Sequence, residues 1–189
     1  GGKYQDAAGS TVCKPCVIGS FCPTGASAPL PCEAGSYTYR TDLSSASDCR
    51  SSTPGSFSPT GSSNSTLCAA GTFMDESDAG SCTKCPAGSF QDEEGAVTCK
   101  ACSGGSFCPE GASAELPCPA GSYSNVANLT SSAECTACPV GSACATGSTA
   151  HAPCAPGTFT SITRQSECAM CVAGEYQDAS GSTACKDCP

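Results

Sequence analysis

The sequence predicts a small disulfide-rich repeat fold, an elongated rod of short β-hairpins and turns with little or no helix. Three observations predict it: twenty cysteines in 189 residues, very few large apolar residues, and a glycine-aromatic-cysteine unit that recurs along the whole chain. Val, Ile, Leu and Phe together supply only nineteen residues, about a tenth of the chain. A packed core normally needs at least about twice that fraction to offset chain entropy. Gly (21), Cys (20) and Pro (14) dominate instead, which is the composition of a chain whose cross-links replace a core. No stretch approaches the roughly 18 apolar residues of a membrane span.

The repeat begins at Gly2 and continues at Gly19, Gly35, Gly55, Gly71, Gly88, Gly105, Gly121, Gly141, Gly157 and Gly174. The steps run 17, 16, 20, 16, 17 and then 17, 16, 20, 16, 17, so the step pattern itself repeats after 86 residues. Residues 17–102 align on 103–188 without a gap, with 39 of 86 positions identical. The organisation expected is therefore the end of a truncated block (1–16), two five-module blocks (17–102 and 103–188) and the start of another at 189.

Two residues after ten of these glycines stands an aromatic: Tyr4, Phe21, Tyr37, Phe57, Phe73, Phe90, Phe107, Tyr123, Phe159 and Tyr176, with Ala143 in the eleventh slot. Each ring is expected to be its module's miniature core, packed on a neighbouring disulfide. The other reading is a ladder of displayed rings for carbohydrate or peptide stacking. The glycine suits a turn that needs positive φ or a close backbone approach.

The duplication constrains the cysteine pairing. Cys138 and Cys144 align with Ser52 and Ser58, while Cys49 and Cys68 beside those serines remain. Two cysteines missing together are what a bridge between those positions leaves behind. Transferred along the repeat, that pairing gives Cys16–Cys22 and Cys102–Cys108. The rest fall into neighbours: Cys32–Cys49, Cys68–Cys82, Cys85–Cys99, Cys118–Cys135, Cys154–Cys168 and Cys171–Cys185. Interlocked pairing inside each module is the alternative. Cys13 and Cys188 are left unpaired within the window. By register Cys13 wants a partner fourteen residues upstream and Cys188 one six residues downstream. They imply either a window on a longer array or bridges between consecutive subunits, head to tail.

Twenty regularly spaced cysteines imply an oxidising compartment, secreted, at the cell surface or in an endomembrane lumen, and an extracellular place is expected. The sequons Asn64-Ser65-Thr66 and Asn128-Leu129-Thr130 agree, making Asn64 and Asn128 the expected glycosylation sites. A net charge of −9 with only eight scattered basic residues argues against nucleic acid. Cys82-x2-Cys85-x13-Cys99-x2-Cys102 comes close to structural-zinc spacing, but the single-cysteine steps fit no four-ligand grouping. Neither metal nor cofactor is expected. The sole histidine, His151, aligns with Ser65 and reads as a surface residue. The acidic runs Asp75-Glu76-x-Asp78 and Asp92-Glu93-Glu94 lack calcium-loop spacing and read as solvated turns. Serines and threonines between modules are candidates for O-glycosylation or plain solvated loop.

The string Cys85-Pro86-Ala87-Gly88-Ser89-Phe90-Gln91-Asp92, continued by Gly95 and Cys99-Lys100-Ala101-Cys102, resembles the ephrin-receptor-like cysteine-rich repeat. Cys171-Val172-Ala173-Gly174-Glu175-Tyr176-Gln177-Asp178, with Gly181 and Cys185, shows the same pattern. The resemblance covers essentially the whole chain. It implies β-hairpins and turns stapled by disulfides in an extracellular protein, in the style of TNF-receptor and EGF-like modules. The family recurs in receptor ectodomains and in large protist surface proteins, including components similar to flagellar hairs (mastigonemes). It brings no catalytic residues.

The expected function is accordingly non-enzymatic: a structural segment of a long, glycosylated extracellular rod or filament. Its partners are copies of itself or sister subunits, with covalent glycans. The alternative is a receptor or adhesin ectodomain that binds a protein ligand. A fibre needs equivalent blocks, whereas a receptor diversifies its modules to build one patch.

Overall fold

The computed structural model describes residues 1–189, and its secondary structure is eleven two-stranded antiparallel hairpins, each a separate sheet. In chain order they are β1–β2 (Lys3–Tyr4, Lys14–Pro15), β3–β4 (Ser20–Phe21, Leu30–Pro31), β5–β6 (Ser36–Tyr37, Arg50–Ser51) and β7–β8 (Ser56–Phe57, Thr66–Leu67). Next come β9–β10 (Thr72–Phe73, Thr83–Lys84), β11–β12 (Ser89–Phe90, Lys100–Ala101), β13–β14 (Ser106–Phe107, Leu116–Pro117) and β15–β16 (Ser122–Tyr123, Thr136–Ala137). The last three are β17–β18 (Ser142–Ala143, Ala152–Pro153), β19–β20 (Thr158–Phe159, Ala169–Met170) and β21–β22 (Glu175–Tyr176, Lys186–Asp187). Two single turns of 3₁₀ helix, Ala46–Asp48 and Ser132–Glu134, are the only helical residues. The expected fold class of disulfide-rich hairpin repeats holds.

The chain forms two compact units, Gly1–Cys85 with Gln91–Cys99, and Pro86–Phe90 with Lys100–Pro189. Within each unit the hairpins are built alike. A tight turn carries the repeat glycine into the first strand: in Pro86-Ala87-Gly88-Ser89 the Ser89 amide donates to Pro86 O at 3.1 Å, and Gly88 has φ +87°. Positive φ at the third position is the signature of a type II turn. The residue after the glycine adds a clamp, since the Ser89 hydroxyl donates to the same Pro86 carbonyl at 2.6 Å. Ser36, Ser56, Thr72, Ser122 and Thr158 repeat this bond.

A two-residue hairpin is not stable alone in water. Each is tied to its neighbour through the repeat glycine. The Gly19 amide donates to Thr38 O at 2.9 Å, Gly55 to Met74 O at 2.7 Å and Gly121 to Cys144 O at 2.8 Å. In every one of the ten steps the acceptor is the third residue after the following glycine. The carbonyl of the same glycine accepts from its own module, as when Cys32 donates to Gly19 O at 2.9 Å and Cys154 to Gly141 O at 2.9 Å.

A second set of bonds skips one module. Gly61 N–H donates to Cys32 O at 2.8 Å, Gly147 to Cys118 O at 2.9 Å and Gly181 to Cys154 O at 2.8 Å. Asp78 (φ 59°), Asn128 (φ 63°) and Arg164 (φ 64°) hold the same left-handed loop apex without being glycine. The apex carbonyl lies directly over the repeat glycine two modules earlier. A Cβ on Gly19 would stand 2.1 Å from Gly61 O, and one on Gly35 2.0 Å from Asp78 O.

The deepest side chains are cysteines. Cys22, Cys32, Cys68, Cys85, Cys102, Cys108, Cys118 and Cys138 are all fully buried. The rings lie shallower than the sequence reading places them. Tyr37 alone is buried, Tyr176 is 41% exposed, and the others are half-buried. Phe90 packs on the Cys102–Cys108 bridge with Ala112, and Phe107 packs on Cys118, Cys135 and Leu129. These two rings shield sulfur, and buried cysteines make up most of the core. A thin two-residue hairpin has only one face to offer, which leaves the ring's other side wet.

Candidate functional site: the disulfide line and the two free thiols

Nine disulfides run along the chain. Three join cysteines six residues apart: Cys16–Cys22, Cys102–Cys108 and Cys138–Cys144. Four span fourteen: Cys68–Cys82, Cys85–Cys99, Cys154–Cys168 and Cys171–Cys185. Two span seventeen, Cys32–Cys49 and Cys118–Cys135. Every bridge starts at the cysteine that closes one hairpin and lands in the next hairpin. It lands either on the third residue after the glycine or just before the second strand. Consecutive modules are thus joined covalently as well as by the glycine bond. Cys82, Cys85, Cys99 and Cys102, the set with near-zinc spacing, are all in disulfides and offer no thiolate. Cys13 and Cys188 are free and exposed.

The step from β5–β6 to β7–β8 has no disulfide. Ser52 and Ser58 stand there, 1% and 0% exposed. The Ser52 hydroxyl donates to Ala79 O at 3.3 Å and accepts from the Ala79 amide at 3.1 Å. The Ser58 hydroxyl is buried without a hydrogen-bond partner. The two positions that carry a disulfide in the other block thus hold two smaller buried hydroxyls here, and one of them is unsatisfied.

The third position after the glycine does more than accept a backbone bond. In several modules where it is not cysteine, its side chain grips its own hairpin loop. Gln91 Nε2 donates to Thr98 O at 2.7 Å, and its Oε1 accepts from the Glu93 amide at 3.0 Å. Gln177 does the same with Ala184 O at 2.7 Å and the Ala179 amide at 3.1 Å. Gln5 repeats the clasp through Val12 O and the Ala7 amide. Thr38 and Ser124 accept shorter-range bonds from the amides of Arg40 and Val126. Sequence reasoning passed over these glutamines. Their signal was a Gln-Asp pair recurring every 86 residues in the module that lacks the extra cysteine.

Asn64 and Asn128, the sequon residues, both have exposed side chains. Asn128 is also a loop apex, its amide donating to Cys102 O at 2.9 Å, and the buried Leu129 follows it. The Thr130 hydroxyl bonds to the Glu134 carboxylate, which also accepts from the amides of Thr130 and Ser131. These donors hold the Glu134 carboxyl below the usual glutamate range, the Thr130 hydroxyl first among them. His151 Nδ1 lies 3.1 Å from Ser142 Oγ, and its ring meets Tyr123 edge-on at 5.5 Å. Both acidic runs are exposed.

Two equivalent surface clusters flank the first and last hairpins. Lys14 Nζ pairs with Asp6 at 2.8 Å and lies 5.9 Å from the Tyr4 ring; Lys186 pairs with Asp178 at 2.7 Å and lies 5.7 Å from Tyr176. The hydrogen bond from each lysine lowers its aspartate, and each aspartate raises its lysine. Both pairs are solvent-exposed and contribute little to stability.

No helix is long and apolar enough to cross a membrane. The family described as tyrosine-protein kinase ephrin type A/B receptor-like matches residues 55–102, 77–115 and 157–189, together about half of the chain. No curated protein matches the chain. Nine disulfides on a repeat of this kind make it an extracellular structural or receptor-like module. The matched stretches are the same glycine-aromatic-cysteine hairpins seen along all eleven modules, and the chain is an array of ephrin-receptor-like cysteine-rich repeats.

Proposed function

We propose that the chain is a non-enzymatic structural stretch of a long extracellular rod or filament, glycosylated at Asn64 and Asn128 and comparable to the shaft of a flagellar hair. One observation carries this reading. The same glycine amide meets the same carbonyl position at all ten module steps, with distances of 2.6–2.9 Å. Modules that join identically can be extended without limit and present any lateral contact at a fixed interval. The joints keep this bond where the two blocks differ in residue at the acceptor position, as at Ser58 and Cys144 or Met74 and Thr160. The protein is assigned to the secreted or surface-exposed matter of its source, with copies of itself or sister subunits as partners.

The family description supports a second reading, a receptor ectodomain that binds a protein ligand through such modules. Negative-stain microscopy of native material, labelled with an antibody to this chain, separates the two. Labelled filaments are expected. Dispersed particles attached to a signalling domain would overturn the structural reading in favour of the receptor.

A further inference from the structure

The step that lacks a disulfide carries two surface residues that the matching step of the other block does not. Tyr39, the one aromatic outside the repeat series, is 65% exposed in the β5–β6 loop. Asn64, the acceptor of the first sequon, is exposed in the β7–β8 loop. These are the two hairpins that Ser52 and Ser58 leave unbridged. The backbone brings the two loops together. Tyr37 and Ser62 form a parallel bridge, and the Thr38 amide donates to Ser62 O at 3.1 Å. Two residues beyond that bridge on each strand stand Tyr39 and Asn64.

The backbone on both sides of Tyr39 is set in advance. The Thr38 carbonyl accepts from Gly19 at 2.9 Å, and its hydroxyl accepts from the Arg40 amide at 3.0 Å. Ile18, 53% exposed, belongs to the same surface: a Cβ added to its counterpart Gly104 would stand 3.3 Å from the carbonyl of Asn125, the counterpart of Tyr39. Arg40 and Asp42 form an exposed ion pair at 2.7 Å further along the loop. Asn64 Oδ1 accepts from the Ser65 amide at 3.0 Å, and its Nδ2, the atom that takes a sugar, has no partner. An exposed ring with an apolar neighbour and a polar rim suits the C–H face and hydroxyls of a pyranose. The other block has the opposite set. It carries Cys138–Cys144 at this step, with Asn125 in place of Tyr39 and Ala150 in place of Asn64. Ring and sugar acceptor thus occur together where the sulfur bridge is missing, and both are absent where it is present.

We propose that the glycan on Asn64 lays its first sugar on the Tyr39 ring and so ties β7–β8 to β5–β6 in place of the missing disulfide. This rests on the glycosylation at Asn64 proposed above. Attachment forms a bond from Asn64 Nδ2 to the sugar C1, with one amide proton lost and the diphosphate of an activated sugar donor leaving. The linkage then holds the sugar at high effective concentration beside the ring, so the contact needs no separate partner. When the joint opens, Gly35 N–H leaves Ser58 O, Thr38 N–H leaves Ser62 O, and the sugar parts from the ring. The contact therefore favours the closed joint.

The test uses the chain secreted from a eukaryotic host, its glycans trimmed enzymatically to a single N-acetylglucosamine, with occupancy of Asn64 read by mass spectrometry. Hydrogen exchange at the amides of Gly35 and Thr38 should be about three- to tenfold slower than in N64Q. Tyr39→Ser, a substitution at an exposed position, should remove that protection, and Tyr39→Phe should keep it. N64Q/Y39S should exchange no faster than either variant alone, because both remove one contact. A nuclear Overhauser contact between sugar protons and the Tyr39 ring is expected. In S52C/S58C the joint is already closed, so adding N64Q should change exchange by less than about twofold. An occupied Asn64 with additive effects of N64Q and Y39S, or with no sugar–ring contact, would overturn the proposal and leave the glycosylation standing. So would an undiminished effect of N64Q in S52C/S58C, or a change of oligomeric state in Y39S, which would give the ring to a protein partner. An unmodified Asn64 would overturn both the glycosylation at this site and the contact.

Discussion

The step without a disulfide can be completed. Replacing both Ser52 and Ser58 with cysteine (S52C/S58C) restores the residues that the other block carries as Cys138 and Cys144. The three bridges of this type hold their Cα atoms 5.8–6.0 Å apart, and the serine step keeps the glycine bonds that frame them, with Gly35 N–H donating to Ser58 O at 2.7 Å and Ser52 N–H to Gly35 O at 2.8 Å. Closing a seven-residue loop removes about 2.4 kcal/mol of unfolded-chain entropy at 25 °C. Losing the Ser52–Ala79 hydrogen bonds costs about 1 kcal/mol, and removing the unsatisfied Ser58 hydroxyl returns a similar amount. The net gain is about 2 kcal/mol. Native-state hydrogen exchange reads it locally: the amides at 52, 58 and 78 should exchange roughly 30-fold more slowly than in the parent. Their acceptors, Gly35 O, Ala79 O and Ser52 O, are backbone groups that the substitution leaves in place. If both new thiols remain titratable after oxidative refolding, the two positions are not a vacant bridge. If the bond forms and exchange does not slow, the entropic argument fails.

Four further outcomes are expected. Ser58→Ala alone should be neutral or stabilising by up to about 1 kcal/mol in thermal unfolding, since it removes a buried hydroxyl with no partner. Leu129→Ala, which empties the cluster of Leu129, Cys118, Cys135 and Phe107, should cost about 2–4 kcal/mol in the same measurement. Gly121→Ala should do worse than any exposed substitution, because its Cβ would stand 2.1 Å from Arg164 O and φ is +81°; exchange at Arg164 and Gly141 reports the damage. The carboxyls of Asp6, Asp178 and Glu134 lie below their ordinary values. Their contribution is complete above those ordinary values and is lost as pH falls through the lowered ones. Since all three are exposed, unfolding of the oxidised chain should change little between pH 8 and pH 5 and soften only below about pH 4.

How much of this was legible in the sequence follows from which signals the repeat carries twice. The hairpin count follows from the spacing of Gly2 through Gly174, because only glycine meets both the positive φ and the close carbonyl at that position. The joint absence of cysteine at 52 and 58 marks two positions as a pair. The depth of the rings was not legible. An aromatic in a core-poor chain looks like the core, but cysteines occupy most of the interior, and Phe90 and Phe107 lie half-buried against them. The contacts that skip a module were not legible either. Asp78, Asn128 and Arg164 are chemically unlike, and only their shared left-handed backbone places them in one role. The clasping glutamines carried a signal that spacing alone expressed, a Gln-Asp pair at 5, 91 and 177.

The forward-only pattern of bridges governs how the protein bears load. Under tension the hydrogen-bonded joints can part, but each loop behind a disulfide stays out of the load path until its sulfurs separate. Breaking one fourteen-residue bridge, whose Cα atoms start 5.7–5.8 Å apart, releases about 4 nm of chain. The length that tension can draw out is therefore set by oxidation state. In oxidising surroundings the chain yields a little at each joint and then stiffens against its own sulfur links. A reducing agent turns the same strand into a long, compliant tether.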